Sequence, residues 1–576
     1  MVFFRSSQLA SSLESHGLTW YIAEAPMVSI PVIFVLICLI TRTVTEIRRR
    51  ISQNQVDAVI RTPSRIPYWV PFIGSAVSFA RDIEGTIARG RDSTGDGVVS
   101  YRIGPSKYYV VYMPSLVQQV FAQKLSTLSK EKIFEWFMNV AFADGHATRD
   151  EHHAFHEGHK ALNMMLKDDF ITEATTKTAR AVETQVGSLV TSAPWPSPDR
   201  EGNDLNPWEK AGDVKFNNDG TVDANFYSLI VNYMGQIVID MFWGKALIRN
   251  NPGLQKDLWD FDEGVHHLVT SLLAISAAGR RAVAARSRLT KAMEEWHNAM
   301  AAVQRGDDPP SQYQDLDDVS EVMQVRVKTW VDNNTSAKLQ ATNDVSVLWG
   351  VNVNSNKNVF WMLLQIYSRP ELLSDIREEI MEYVKVSPTG ERDLNGFSKL
   401  QIDVDGLCKN CPLIKASFYE TMRMNMSGLG IRQVNQDLIL KESASDAAMF
   451  GKKQPQSYRI PAGSALVLAN GTMQQDPRIF ENPDQFLSQR FIDDKGKDGN
   501  VRVNMKSLHT FGGGLYKCKG RYFAEKEVLI FAASILVMWD VGPLQGDALI
   551  LPKMGLAGAS RSPATDVRVR LTRRYQ

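Results

Sequence analysis

The chain has 576 residues, of which 44% are hydrophobic and 22% charged, a composition that supports a substantial core in one large domain or two to three smaller ones. A net charge of +1 excludes a general attraction to nucleic acid. The four cysteines, Cys38, Cys408, Cys411 and Cys518, are too few for a disulfide framework.

At the N-terminus, Ala25 to Thr41 (APMVSIPVIFVLICLIT) runs without a charge, at the short end for a membrane-spanning helix. Trp20 and Tyr21 precede it, where aromatic side chains favour the membrane interface. Arg42, Arg48, Arg49 and Arg50 follow it, against Arg5 alone before it. The basic side stays cytosolic, so residues 1–24 are expected on the lumenal side and the bulk of the chain in the cytosol. No small-residue cleavage site is evident, which favours an uncleaved signal-anchor over residues 25–41, the other readings being a removed signal or a buried helix.

A basic linker over 42–62 comes next. RTPSRIPYWVPFIGS then places Pro63, Pro67 and Pro71 at four-residue intervals with Gly74 at the end, which excludes helix and central strand and suggests a stiff hinge. Val98 to Met113 is two β-rich runs around Gly104-Pro105-Ser106-Lys107, a hairpin pattern. Much of the remainder has helical periodicity, broken by a Pro-rich loop from Ser192 to Trp208 and a polar stretch from Gly306 to Gln314. The apolar run Val528 to Met538 is too short to span a membrane and is expected in the core. No internal repeat is present, and no composition shift divides residues 63–576, so one large domain behind an anchor is expected.

Two stretches carry chemistry. Cys408-Lys-Asn-Cys411 has a CxxC spacing, but no second pair completes a zinc site, and two ordinary thiols are expected. FGGGLYKCKG, Phe511 to Gly520, sets Cys518 after three glycines, between two lysines and before the helical pattern RYFAEKEVLIFAASILVMW. Lysines and a helix N-terminus favour the thiolate, which either attacks a substrate or binds a metal. A nucleophile needs a base oriented by a third group, and His509 nearby shows no such dyad. A metal ligand needs only a soft anion, close backbone approach through Gly512 to Gly514, and an apolar wall such as Phe511. Upstream, FYETMRMNM places Glu420 and Arg423 on one helical face, and Arg490 follows in FENPDQFLSQRF. Alone, the Glu-x-x-Arg pair reads as a surface i,i+3 pair.

The order of these pieces, an anchor, a proline hinge, ETMR, FENPDQFLSQRF and FGGGLYKCKG, closely resembles the eukaryotic microsomal cytochrome P450 superfamily from about Pro63 to the C-terminus. Phe511, Gly514, Cys518 and Gly520 match its cysteine loop, Glu420 and Arg423 its ExxR helix, and Arg490 its later arginine. The resemblance implies a predominantly α fold with small β-sheets. It also implies haem b with Cys518 as the axial iron ligand and a fold-supporting triad of Glu420, Arg423 and Arg490. A thiolate ligand pushes electron density onto the iron.

Two departures from the family pattern stand out. Tyr516 occupies a position usually held by Arg or His facing a haem propionate, and Tyr carries no charge. Arg432, Lys160 and His156 are the candidates to take over that work. His152, His156 and His159, at i, i+4 and i+7, offer an alternative metal-binding face, without the HExxH pattern. In LWGVNVNSNKNVFWMLLQI, Leu348 to Ile366, the family's acid–threonine pair becomes Val353 and Asn354. Asparagine there resembles the branch of sterol 7α- and 12α-hydroxylases and prostacyclin synthase. Asn354, with Ser355 as a fallback hydroxyl, is the candidate catalytic residue.

The resemblance implies a single-pass endoplasmic reticulum protein with a cytosolic catalytic domain. It would be a monooxygenase acting on a bulky apolar substrate, steroid-like, terpenoid or polyketide-derived, in a fungal secondary-metabolite pathway. The alternatives are a haem-thiolate isomerase or dehydratase rearranging a peroxide without external electrons, and a non-catalytic haem protein. Trp349, Val351, Val353 and Ser427 to Ile431 resemble pocket-lining segments. Electrons would come from NADPH through a cytochrome P450 reductase, docking at Lys517, Lys519, Arg521 and Lys526.

Overall fold

The computed structural model describes residues 26–53, 60–143, 157–191, 205–269, 275–387, 390–392, 396–493, 501–555 and 559–575. The proposed lumenal segment 1–24, His152, His156 and most of the Pro-rich loop lie outside them. Within them the chain is predominantly helical with small sheets, and it forms two compact units, one of residues 1–130 with 430–472, the other of 131–429 with 473–576.

In the first unit, helix α1 (Pro26–Gln53) is the one helix among the described residues long and apolar enough to cross a membrane, and its apolar window is unburied. At 1.5 Å per residue it is about 40 Å long. The helix therefore continues through the first part of the expected linker. Glu46 makes i,i+3 and i,i+4 ion pairs with Arg49 and Arg50, at 2.6 and 3.0 Å, which support that extension. Its far end meets the proline segment: Arg42 Nη1 donates to the Pro67 carbonyl at 2.7 Å, and its guanidinium lies over the Trp69 ring.

The unit's sheet comprises β1 (Ser64–Arg65), β2 (Val98–Ile103), β3 (Ser106–Val111), β4 (Leu128–Ser129), β5 (Leu429–Val434) and β6 (Ala465–Ala469), in the order β1-β2-β3-β6-β5-β4. The expected hairpin is β2–β3, with Ile103 paired to Ser106 and Gly104 at φ 58° in the turn, where a side chain would be strained. Gly74 ends the proline segment at φ 65°, and a Cβ there would lie 2.2 Å from the Arg102 carbonyl oxygen. Parallel pairing of β6 with β3, Ala465 against Tyr108, joins the late segment to the early one.

The second unit is built around α2 (Phe226–Trp243), α3 (Leu254–Val269), α4 (Ala277–Arg305), α5 (Ala337–Tyr367), α6 (Pro412–Asn425) and α7 (Arg521–Met538). Val528 to Met538 is buried throughout, as its unbroken apolar character requires. Trp208 is not in a loop: Asn206 caps a short helix, Pro207–Ala211, and the Trp208 ring joins the core. Gly306 closes α4 in the left-handed conformation, which places the expected break there.

Candidate active site

Glu420 and Arg423, three residues apart on α6, are both fully buried. Glu420 Oε2 accepts from Arg423 Nε at 2.7 Å, and Oε1 from Arg423 Nη2 at 2.9 Å, Arg490 Nε at 3.0 Å and the Leu487 amide at 2.9 Å. The arginines spend further donors on backbone carbonyls: Arg423 on Gln474 at 2.8 Å, Arg490 on Glu481 at 2.8 Å. A buried carboxylate ringed by charged donors is satisfied in a way that a surface pair is not.

The cysteine loop is shaped by its glycines. Gly512 and Gly514 have φ of 69° and 58°, and a short 3-10 turn covers Gly514–Tyr516. The Cys518 amide donates to the Phe511 carbonyl at 2.9 Å, which folds the loop back on itself. Arg521 Nη1 donates to the Cys518 carbonyl at 2.8 Å, and α7 begins at Arg521. Burial pushes the thiol above its ordinary value, while the Gly520 and Arg521 amides and the Arg521 charge favour the thiolate. Cys518 is nonetheless exposed, because it opens onto a cavity.

That cavity has a volume of ≈ 350 Å³ and a mostly apolar wall. Phe137, Phe142, Trp349 and Val351 line one part, Phe511, Gly520 and Phe523 the part around the cysteine. A Cβ on Gly520 would come within 3.2 Å of Met165 Cε, so the loop sits close under the cavity. A single soft anionic donor, a close backbone and an apolar enclosure fit a haem bound through Cys518. Cys408 and Cys411 do not compete: burial pushes their thiols up to about 11 and about 12, and no metal-ligating group of three exists among the described residues.

Asn354 and Ser355 of α5 both line the cavity. Asn354 Oδ1 is engaged, accepting the Ser560 amide at 3.1 Å. Val353 is buried in the core and does not line the cavity. One residue that sequence reasoning overlooked is Glu527, buried on the cavity wall, with Oε1 lacking a hydrogen-bond partner. Burial pushes its carboxyl up to about 8, offset in part by the Ser355 hydroxyl. The signal was present: Gly520, Phe523, Ala524 and Glu527 share one face at helical spacing, and all four line the cavity.

Other expected cations fall differently. Lys160 is exposed and ion-paired to Glu157, and it is His159 that lines the cavity, its ring 5.8 Å from that of Phe134. Lys519 does line the cavity. Arg432 is buried on β5 of the first unit, and Tyr516 is half-buried. In the basic cluster, Arg521 stacks on Tyr522 at 4.1 Å and Lys526 pairs with Asp405 at 3.5 Å, so only part of that charge stays uncommitted.

A cysteine thiol open to an apolar cavity beside a buried Glu–Arg–Arg cluster defines the haem-thiolate class of protein. Residues 345–564 match the cytochrome P450 family. The chain is 24% identical over 517 residues to the cytochrome P450 monooxygenase efuG of Hormonema carpetanum, covering 84% of each chain. It is 23% identical to the cytochrome P450 monooxygenase poxD of Penicillium oxalicum, over 84% of this chain and 88% of that one. A 215-residue stretch is 27% identical to the 5-beta-cholestane-3-alpha,7-alpha-diol 12-alpha-hydroxylase of Sus scrofa, covering 36% and 39%. Residues 345–564 thus carry the match to the cytochrome P450 family, and the chain is similar over most of its length to P450 monooxygenases.

Proposed function

We propose that this protein is a P450 monooxygenase that is held at the endoplasmic reticulum membrane by α1, with its catalytic part in the cytosol, and oxidises a bulky, rigid, apolar substrate of fungal secondary metabolism. The observation that carries the reading is the Cys518 thiol opening onto an apolar ≈ 350 Å³ cavity. The apolar wall beyond the cysteine, formed by Phe137, Phe142, Trp349 and Val351, suits a polycyclic terpenoid, steroid-like or polyketide-derived molecule. The fungal relatives support a secondary-metabolite setting.

In this reading Cys518 is the axial ligand of haem b, with Phe511, Gly514 and Gly520 shaping the loop around it. Haem supplies the iron centre that activates oxygen. Glu420, Arg423 and Arg490 hold α6 against the segment that leads to the loop. Asn354 orients the wall through Ser560, and Glu527, protonated at neutral pH, holds a proton beside Ser355 at the cavity. Electrons come from NADPH through a cytochrome P450 reductase, approached by the uncommitted part of the basic cluster around Lys517.

A second reading, rearrangement of a peroxide without external electrons, is favoured by one observation: Asn354, where α5 lines the cavity, is not ionisable. Mass spectrometry of host metabolites after gene deletion tests both. An accumulated precursor one oxygen lighter than the lost product supports monooxygenation; an accumulated isomer of the lost product supports rearrangement. An unchanged metabolite profile would sink both.

A further inference from the structure

Lys357 is an anomaly in the core. It sits on α5, three residues past Asn354, with its side chain 1% exposed, and its ammonium is ion-paired to Asp262 of α3, 3% exposed. Removing a charge pair from water costs several kcal/mol per ion before their attraction is counted, and a well-packed apolar pair serves stability as well or better. What a buried pair can supply that an apolar one cannot is direction, because an ammonium has three donors and a carboxylate two accepting oxygens.

Asp262 uses that capacity on the cavity wall, and Lys357 on the backbone behind it. The Asp262 oxygen not facing Lys357, Oδ1, accepts the indole N–H of Trp349 at 2.9 Å. Trp349 lines the cavity, its ring 6.3 Å from that of Phe137 and 6.0 Å from that of Phe142, both also lining it. Lys357 Nζ donates in addition to the Ser560 carbonyl at 3.3 Å. Ser560 is held from its other side by Asn354, and Trp361 Nε1 donates to the Arg561 carbonyl at 2.7 Å. The same strand of backbone meets the chain after α6, where the Ser427 amide donates to Ala559 at 2.9 Å, next to the cavity-lining Met426. One ammonium thus joins α3, α5 and segment 559–561, and its carboxylate partner fixes the largest aromatic ring of the wall.

We propose that Lys357 and Asp262 are positioning residues that set the shape selectivity of the substrate cavity, by fixing the Trp349 indole in its wall and the 559–561 segment behind the cavity-lining Asn354. Without the pair the indole loses its acceptor and the ring can turn into or out of the cavity. The pocket then loses discrimination between compact and bulky occupants before it loses the ability to bind either. The inference rests on the haem-thiolate reading of the cavity, because its probes report through the haem.

The test uses purified holoenzyme and two azoles, compact 4-phenylimidazole and bulky clotrimazole, each titrated by the Soret shift. The ratio of the two dissociation constants is the readout, since a global loss of fold would lower haem content rather than change that ratio. Lys357→Met with Asp262→Leu removes both charges and leaves no orphan ion, and Trp349→Phe leaves the ion pair intact while deleting the indole N–H. Both variants are expected to keep their haem and to change the ratio about tenfold or more, the equivalent of one good contact. An unchanged ratio in both variants overturns the proposal while the wild-type shifts uphold the haem reading. A wild-type protein that gives no Soret shift with either azole removes the haem reading and this proposal with it.

Discussion

Arg490 Nε lies 3.0 Å from Glu420 Oε1, bridging two segments 70 residues apart around a carboxylate with no exposed surface. The bond depends on α6 presenting Glu420 inward and on the Leu487 amide reaching the same oxygen. Glu420→Ala would leave Arg423 buried and unpaired, at a cost of about 3–5 kcal/mol. Little folded holoprotein is expected from such a variant, measured as the ratio of haem absorbance to protein. A variant that folds with full haem content would show that the cluster is dispensable.

Cys518 is the one thiol among the described residues that line the cavity. The reduced carbon monoxide complex of the wild type should show the red-shifted Soret band of thiolate ligation. Cys518→Ala should abolish that band and turnover, while Cys408→Ala and Cys411→Ala should preserve both, since burial keeps their thiols neutral and no metal-ligating group of three exists among the described residues. Persistence of the band in the Cys518 variant would remove the ligand assignment.

Short-range spacing made the centre of the site legible. Glu420 and Arg423 share a helical face, and the glycines before Cys518 announce a loop that the structure draws close under the cavity. What the sequence hid is long-range. Asp262 and Lys357 are 95 residues apart, Asn354 and Ser560 are 206 apart, and nothing in either local pattern points to its partner. The two-unit division has the same cause: parallel pairing of β3 with β6 is set by register between distant segments. The helix runs past the apolar segment for a different reason. Hydropathy ends at Thr41, whereas helix formation continues to Gln53 on Glu–Arg pairs that a hydrophobicity count ignores.

Asn354 Oδ1 holds the Ser560 amide, and the residue also lines the cavity. Asn354→Ala removes the acceptor for the Ser560 amide, worth about 0.5–1.5 kcal/mol in stability. Asn354→Asp keeps that acceptor. If Asn354 acts mainly by holding the wall, Asp should restore the turnover that Ala loses; if its NH2 group acts on the bound substrate, both variants should fall equally. Product formation per haem, measured for both variants side by side, separates the two.

Glu527 gives the site a pH dependence with a definite sign. Its carboxyl is raised from 4.5 to about 8, chiefly by burial, so the folded protein binds a proton that the unfolded chain releases. Below the unfolded value both states are protonated and the group costs nothing. As pH rises from about 4.5 through about 8, the folded state must hold an ever less favourable proton or bury a charge, so stability falls. Glu527→Gln, which cannot ionise, should remove that slope. Thermal unfolding midpoints of wild type and Glu527→Gln, compared across pH about 5 to about 8, are expected to diverge toward alkaline pH with the variant the more stable. If Glu527 also supplies the proton held beside Ser355, the variant should lose reductase-driven turnover at neutral pH while keeping the thiolate carbon monoxide spectrum. Parallel pH–stability curves for the two proteins would mean that Glu527 titrates at its ordinary value and cannot be the proton store of this site.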